Sequence, residues 1–280
     1  CAAEGERSLK AAKIEQSSAG TPLHSQSKAT VQTLDKPTRE QFAAFEQKNL
    51  PVKVTHAFSN WPAFSKWLHA DGSLNVSGLL GAKAAADSRD ASPVHVLVSP
   101  TSSFRGEVNA TAQTTLPFAD FLKQATASSS SSSDAASPFA SAHCYLCQCP
   151  IAVQDDAGNR ALLPHLAEDV RPLPAIVPAE LLSSINLWMS VGATQSNLHL
   201  DEFHNLLVVL AGHKRVTLFA PEQTPRLYPQ PVFSLSANHS RVDFKASTLE
   251  PRFARFADAR ANALEVTLEP GDALFMPEGW

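Results

Sequence analysis

Apolar residues follow two different rhythms along this chain. In the first half they recur at helical spacing in short stretches. Asp35-Lys36-Pro37-Thr38-Arg39-Glu40-Gln41-Phe42 puts Thr38 at a helix N-cap, Gln41 in the capping-box position, and Phe42 and Phe45 on one face. A short strand over 51–57, a turn at Asn60-Trp61-Pro62-Ala63 and an aromatic helix through Trp67 and Leu68 follow. The pattern then predicts a strand over 94–98 and a short amphipathic helix over 116–124, with Phe118, Phe121 and Leu122 inward. In the second half the rhythm becomes that of strands, over 144–149, 185–191, 198–210, 214–220, 264–268 and 273–276, broken by turns that contain Gly and Pro. The expected fold is mainly β with N-terminal helices, an antiparallel barrel or sandwich with helical decoration.

Two segments fall outside both rhythms. Residues 1–30, rich in Ala, Ser, Gln and Lys, read as a loose leader, so the domain runs over 31–280. Ser128 opens a run of six serines inside a Ser-rich insertion near 125–141, which has nothing to bury. The chain starts at Cys1 and stops in mid-motif at Trp280, and so reads as a piece of a longer protein.

Composition narrows the classes. The 280 residues are 44% hydrophobic and 18% charged, enough for a large buried core. No apolar run approaches the roughly 18 residues of a membrane helix, so no membrane association is expected. A net charge of −4 gives no broad attraction for phosphate backbones, so a nucleic-acid partner is possible but not favoured. Three of the four cysteines crowd into His143-Cys144-Tyr145-Leu146-Cys147-Gln148-Cys149. On a plain strand Cys144 would face away from Cys147 and Cys149, so these read as small strand residues in a reducing compartment, cytoplasmic or nuclear.

The chemistry concentrates in Ser196-Asn197-Leu198-His199-Leu200-Asp201-Glu202-Phe203-His204-Asn205. In an extended chain His199 and Asp201 project from the same face, so an imidazole and a carboxylate can meet on one metal ion. A third ligand from another strand would complete the facial triad of non-haem Fe(II) oxygenases. His204 has the opposite parity and His213 sits in a turn, so neither replaces it. After the turn at Ala211-Gly212-His213, Lys214 starts the next strand, where a fixed cation can pair with a carboxylate on a bound co-substrate. Parity leaves Lys214 and Arg215 as alternatives for the inward position.

Several ordered motifs then carry a family resemblance: Ile185-Asn186-Leu187-Trp188, His199-Leu200-Asp201, Asn205-Leu206-Leu207, Gly212-His213-Lys214-Arg215, Leu227-Tyr228-Pro229 and Pro270-Gly271-Asp272 through Pro277-Glu278-Gly279-Trp280. The chain resembles a cupin-type JmjC domain, closest in pattern to the small JmjC hydroxylases typified by the asparaginyl hydroxylase of hypoxia-inducible factor. The resemblance implies a double-stranded β-helix, or jelly roll. It implies Fe(II) as the metal, 2-oxoglutarate as co-substrate and hydroxylation of a protein side chain, with succinate and CO2 released. Hydroxylation of a modified tRNA base, histone lysine demethylation and a catalytically inactive cupin-fold binding protein are the alternatives. By the same resemblance His199 and Asp201 are catalytic metal ligands, and Lys214, Ser196, Tyr145 and Asn205 hold the co-substrate. The third ligand would be a His about two residues after the Pro-x-x-Trp segment, and a homodimer would form through a region beyond residue 280. Loop residues 223–243 and the arginines Arg252, Arg255 and Arg260 are candidates to face substrate.

Overall fold

The computed structural model describes residues 29–86, 92–104, 112–127, 143–154, 160–234, 236–244 and 249–280. The leader up to residue 28 and most of the Ser-rich insertion lie outside the described residues.

The N-terminal helix forms where the sequence sets it. Over Arg39–Gln47, Thr38 Oγ1 accepts from the Gln41 amide at 3.3 Å and Gln41 Oε1 accepts from the Thr38 amide at 2.9 Å. That reciprocal pair satisfies donors the first turn would otherwise strand. Further short helices run over Ala63–Lys66, Val76–Ala86, which is broken by a kink at Gly81, Phe118–Ala127 and Thr224–Leu227.

Strands dominate what remains. They are β1 (Gln32–Asp35), β2 (Val52–Thr55), β3 (Pro93–Ser99), β4 (Ser103–Phe104), β5 (Ala112–Pro117) and β6 (His143–Val153). After them come β7 (Ser184–Ser190), β8 (Gln195–Ser196), β9 (Asn205–Val208), β10 (Lys214–Leu218), β11 (Leu264–Leu268) and β12 (Ala273–Met276). Two four-stranded sheets have the orders β1-β2-β12-β9 and β5-β3-β6-β7, and β10-β11 and β4-β8 form two-stranded pairs. Leu116 and Pro117 close β5 rather than opening the helix that follows, so the expected helix of 116–124 starts two residues later.

Period-two alternation on β12 divides the interior. Ala273 and Phe275 join a core that takes in Phe42, Val52, Phe118 and Leu146, with the Phe42 and Phe275 rings 5.0 Å apart edge to face. Leu274 and Met276 point the other way, into a core with Leu207, Val209, Val216, Leu218 and Leu268. One sheet is thus buried on both faces, against helices and β3–β6 on one side and against β10–β11 on the other.

The cysteine strand departs from plain alternation. Leu146 pairs with Met189 and Cys149 with Leu187, so Cys147 and Gln148 together oppose Trp188 in a β-bulge, with Gln148 at φ 49°. The extra residue flips the later side chains. Cys149 therefore shares the first core with Cys144 instead of facing away from it, and none of these three cysteines forms a disulfide among the described residues.

Candidate functional site

The predicted strand over 198–210 breaks into pieces, and the break makes the site. β8 ends at Ser196 and β9 begins at Asn205, leaving the segment between them extended but outside a regular sheet. Its partner is a strap from a distant loop: His199 bridges His239, Ser240 donates its amide to the Leu198 carbonyl at 2.8 Å, and Leu200 donates to the Asn238 carbonyl at 3.0 Å. His199 Nδ1 lies 2.8 Å from the Asn197 carbonyl. A carbonyl can only accept, so Nδ1 carries the proton and Nε2 keeps the lone pair a metal needs. Asp201 Oδ2 accepts from Asn205 Nδ2 at 2.9 Å, and the Asp201 carbonyl accepts from the Gly279 amide at 3.2 Å. Asn205, only 2% exposed, is thereby a buried brace for the carboxylate.

His199, Asp201, Asn205 and Ser196 line one cavity of about 100 Å³. Lys214 and Tyr145 line a second, larger one of about 840 Å³, together with Trp188. Consecutive residues of β10 line them, Lys214 the larger and Arg215 the smaller. The six sequence candidates thus form two groups, one with the imidazole and carboxylate and one with the cation and the phenol hydroxyl.

Register resolves the inward position on β10. Lys214, Val216 and Leu218 pair with Leu268, Val266 and Leu264, and alternation puts all three on the face turned into the second core. Burial pushes the Lys214 ammonium down to about 8, and among the described residues no hydrogen bond or ion pair offsets that cost. Tyr145 is 3% exposed, and burial raises its phenol well above the usual range, so it stays a hydroxyl. Its ring lies 5.6 Å from that of Trp188, whose indole N–H is buried without a partner among the described residues. A cation, a hydroxyl and an indole donor on one cavity wall suit a bound carboxylate.

The two other histidines are placed elsewhere. His204 Nδ1 accepts from the Glu278 amide at 2.9 Å and its ring packs 5.6 Å from Phe275. His213 is exposed, 3.4 Å from Glu269. Among the described residues no set of three His, Cys, Asp or Glu side chains converges. The donors that do meet, one imidazole and one carboxylate with their outer partners in place, match the ligand types of non-haem Fe(II).

Comparison with known proteins follows the same lines. Residues 37–280 match the cupin-like domain family. Jumonji C domain-containing protein 5 of Drosophila melanogaster is 28% identical over 256 residues, 91% of this chain and 56% of that protein. The chain belongs to the cupin-like JmjC family. Lysine-specific demethylase JMJ31 of Arabidopsis thaliana is 33% identical over 249 residues, 84% of this JmjC chain and 43% of that protein. The tRNA wybutosine-synthesizing protein 5 of Danio rerio is 35% identical over 130 residues, 45% of this chain and 36% of that protein. The JmjC chain spans about half the length of the first two of these relatives.

Sequence reasoning missed His239. It lies within a loop marked only as a stretch that could face substrate, and no local pattern ties it to a position 40 residues earlier. In the folded JmjC chain its ring stacks on His199, with centroids 5.1 Å apart and planes 19° from parallel. Burial, with the nearby His199 adding to it, lowers its pKa to about 4 even though Asp201 pulls the other way.

Proposed function

We propose that this JmjC chain is the core of an Fe(II)- and 2-oxoglutarate-dependent oxygenase that hydroxylates a protein side chain. The observation that carries the reading is the pairing of His199 and Asp201 on one cavity, each with its outer hydrogen bond already made. His199, through Nε2, and Asp201 are two of three protein ligands; the third is the His that the family resemblance puts just after the Pro-x-x-Trp segment. When bound, iron and 2-oxoglutarate supply the oxidising chemistry. The chain's own residues do the rest. Lys214 would meet the far carboxylate of 2-oxoglutarate, with the Tyr145 hydroxyl and the Trp188 indole N–H available to donate to it, and Ser196 and Asn205 would flank the metal end.

The test is succinate formation by the full-length protein that carries this chain, with Fe(II), 2-oxoglutarate and oxygen supplied. Turnover that disappears in His199→Ala and in Asp201→Ala supports the reading. No turnover in the wild type, with the metal bound, points to a cupin-fold binding protein instead. The names of the relatives favour a second reading, demethylation of lysine or oxidation of a tRNA base. Formaldehyde release from a methyl-lysine peptide identifies the first, and a 16 Da gain on tRNA identifies the second.

A further inference from the structure

The strap over 238–240 does more than cover the metal-ligand segment. Both limbs are fastened. Asn238 and Ser240 exchange backbone bonds with Leu200 and Leu198, Asn238 Nδ2 donates to the Leu200 carbonyl at 3.0 Å, and Asn197 Nδ2 donates to the Ser240 carbonyl at 2.7 Å. Ser240 Oγ donates to the Leu227 carbonyl at 2.6 Å, which ties the strap to the end of the helix over Thr224–Leu227. His239 is held as firmly as its backbone. Because Asn238 Nδ2 is committed as a donor, the Asn238 oxygen 2.9 Å from His239 Nδ1 must accept, and that bond fixes the ring. The result is a flat imidazole locked in near-parallel contact with His199.

Such a wall matters because the outer torsion of a histidine is broad, and one hydrogen bond to the Asn197 carbonyl leaves the ring able to swing. Among the described residues His239 stacks beside His199 rather than converging with it and Asp201 on one point, so its geometry is that of a support and not of a ligand. We infer that His239 is a positioning residue: its strapped ring holds the His199 imidazole in the plane from which Nε2 reaches the metal. This rests on the reading of His199 as a metal ligand.

The experiment uses the full-length protein titrated with Co(II) alone, read by its visible absorption band and by a competition-derived dissociation constant. Loss of an outer partner of a metal ligand costs about 10–100-fold in affinity, so His239→Ala is expected to weaken Co(II) binding about tenfold and to alter the band. His239→Phe, which keeps a flat ring but no ring nitrogen, is expected to stay within about threefold of wild type. Unchanged binding in His239→Ala, or equal losses in the Ala and Phe variants, overturns the inference. If His239→Ala fails to give a cooperative melt, His239→Gln, which can keep a bond to Asn238 without a ring, replaces it; tighter binding by Gln than by Phe also overturns the inference. The site reading is judged separately. Co(II) bound by wild type and lost in His199→Ala sustains it, whereas a wild type that binds no Co(II) sinks both.

Discussion

Lys214 shows how one side chain is tuned by where its neighbours point. Its stem lies on the face shared with Val216 and Leu218, and burial lowers its pKa from 10.5 to about 8. The folded state therefore gives up this proton more readily than the unfolded chain does. Between about pH 8 and 10.5 the unfolded chain binds more protons, so ligand-free stability should rise with pH across that window, and below it the full penalty applies. Lys214→Met is expected to raise ligand-free stability below pH 8 by at most about 3 kcal/mol, with the gain vanishing toward pH 10.5. Urea unfolding at several pH values checks it, and a pH-independent gain would contradict the assignment. A second outcome concerns the co-substrate. Affinity for 2-oxoglutarate should fall as pH rises past about 8, because a neutral amine offers its carboxylate no charge, and Lys214→Met should remove that dependence. The sequence alone left Lys214 and Arg215 as equals, since adjacent strand residues differ only in face and nothing local says which face is inside.

Elements were legible to the extent that their signals were local. The capping box at Thr38 and Gln41 starts its helix where expected, and strands β10, β11 and β12 lie within their predicted stretches. Two elements were misjudged for the same reason. The bulge at Cys147 and Gln148 and the broken strand between β8 and β9 both depend on what lies opposite, Trp188 in one case and His239 in the other. A close element contact also sets a constraint that no pattern of the chain announces. At Gly78, in the helix over Val76–Ala86, an added Cβ would stand 1.7 Å from the Lys66 carbonyl oxygen. That oxygen belongs to backbone at the end of the preceding helix and cannot swing aside. Gly78→Ala should therefore cost at least about 2 kcal/mol by forcing the two helices apart, despite the better helix propensity of Ala. Thermal unfolding checks it, and an unchanged or raised melting temperature would refute the contact.

Across the whole molecule, the site depends on sheets held at fixed separations around the second core. One polar tie contributes: Lys53 on β2 lies 2.6 Å from Asp272, just before β12, and donates to the Thr267 carbonyl on β11 at 3.0 Å. Asp272 also accepts from the Glu269 amide at 2.8 Å, so removing the lysine leaves a mostly buried carboxylate short of its cation. Lys53→Ala is expected to lose about 2–3 kcal/mol. Urea unfolding of Lys53→Ala and Lys53→Met tests this, and an unchanged stability in the Met variant would show that packing by the lysine stem is responsible. By itself the sequence determined the strand-rich second half, the capped helix and the residue types of a candidate metal site, because spacing and side-chain chemistry are written locally. Only the tertiary structure decided that Lys214 points inward, that Cys149 shares a core with Cys144, and that His239 lies against His199. Each of those depends on strand register or on a contact between segments far apart in the chain, and register is set by the packing of the whole.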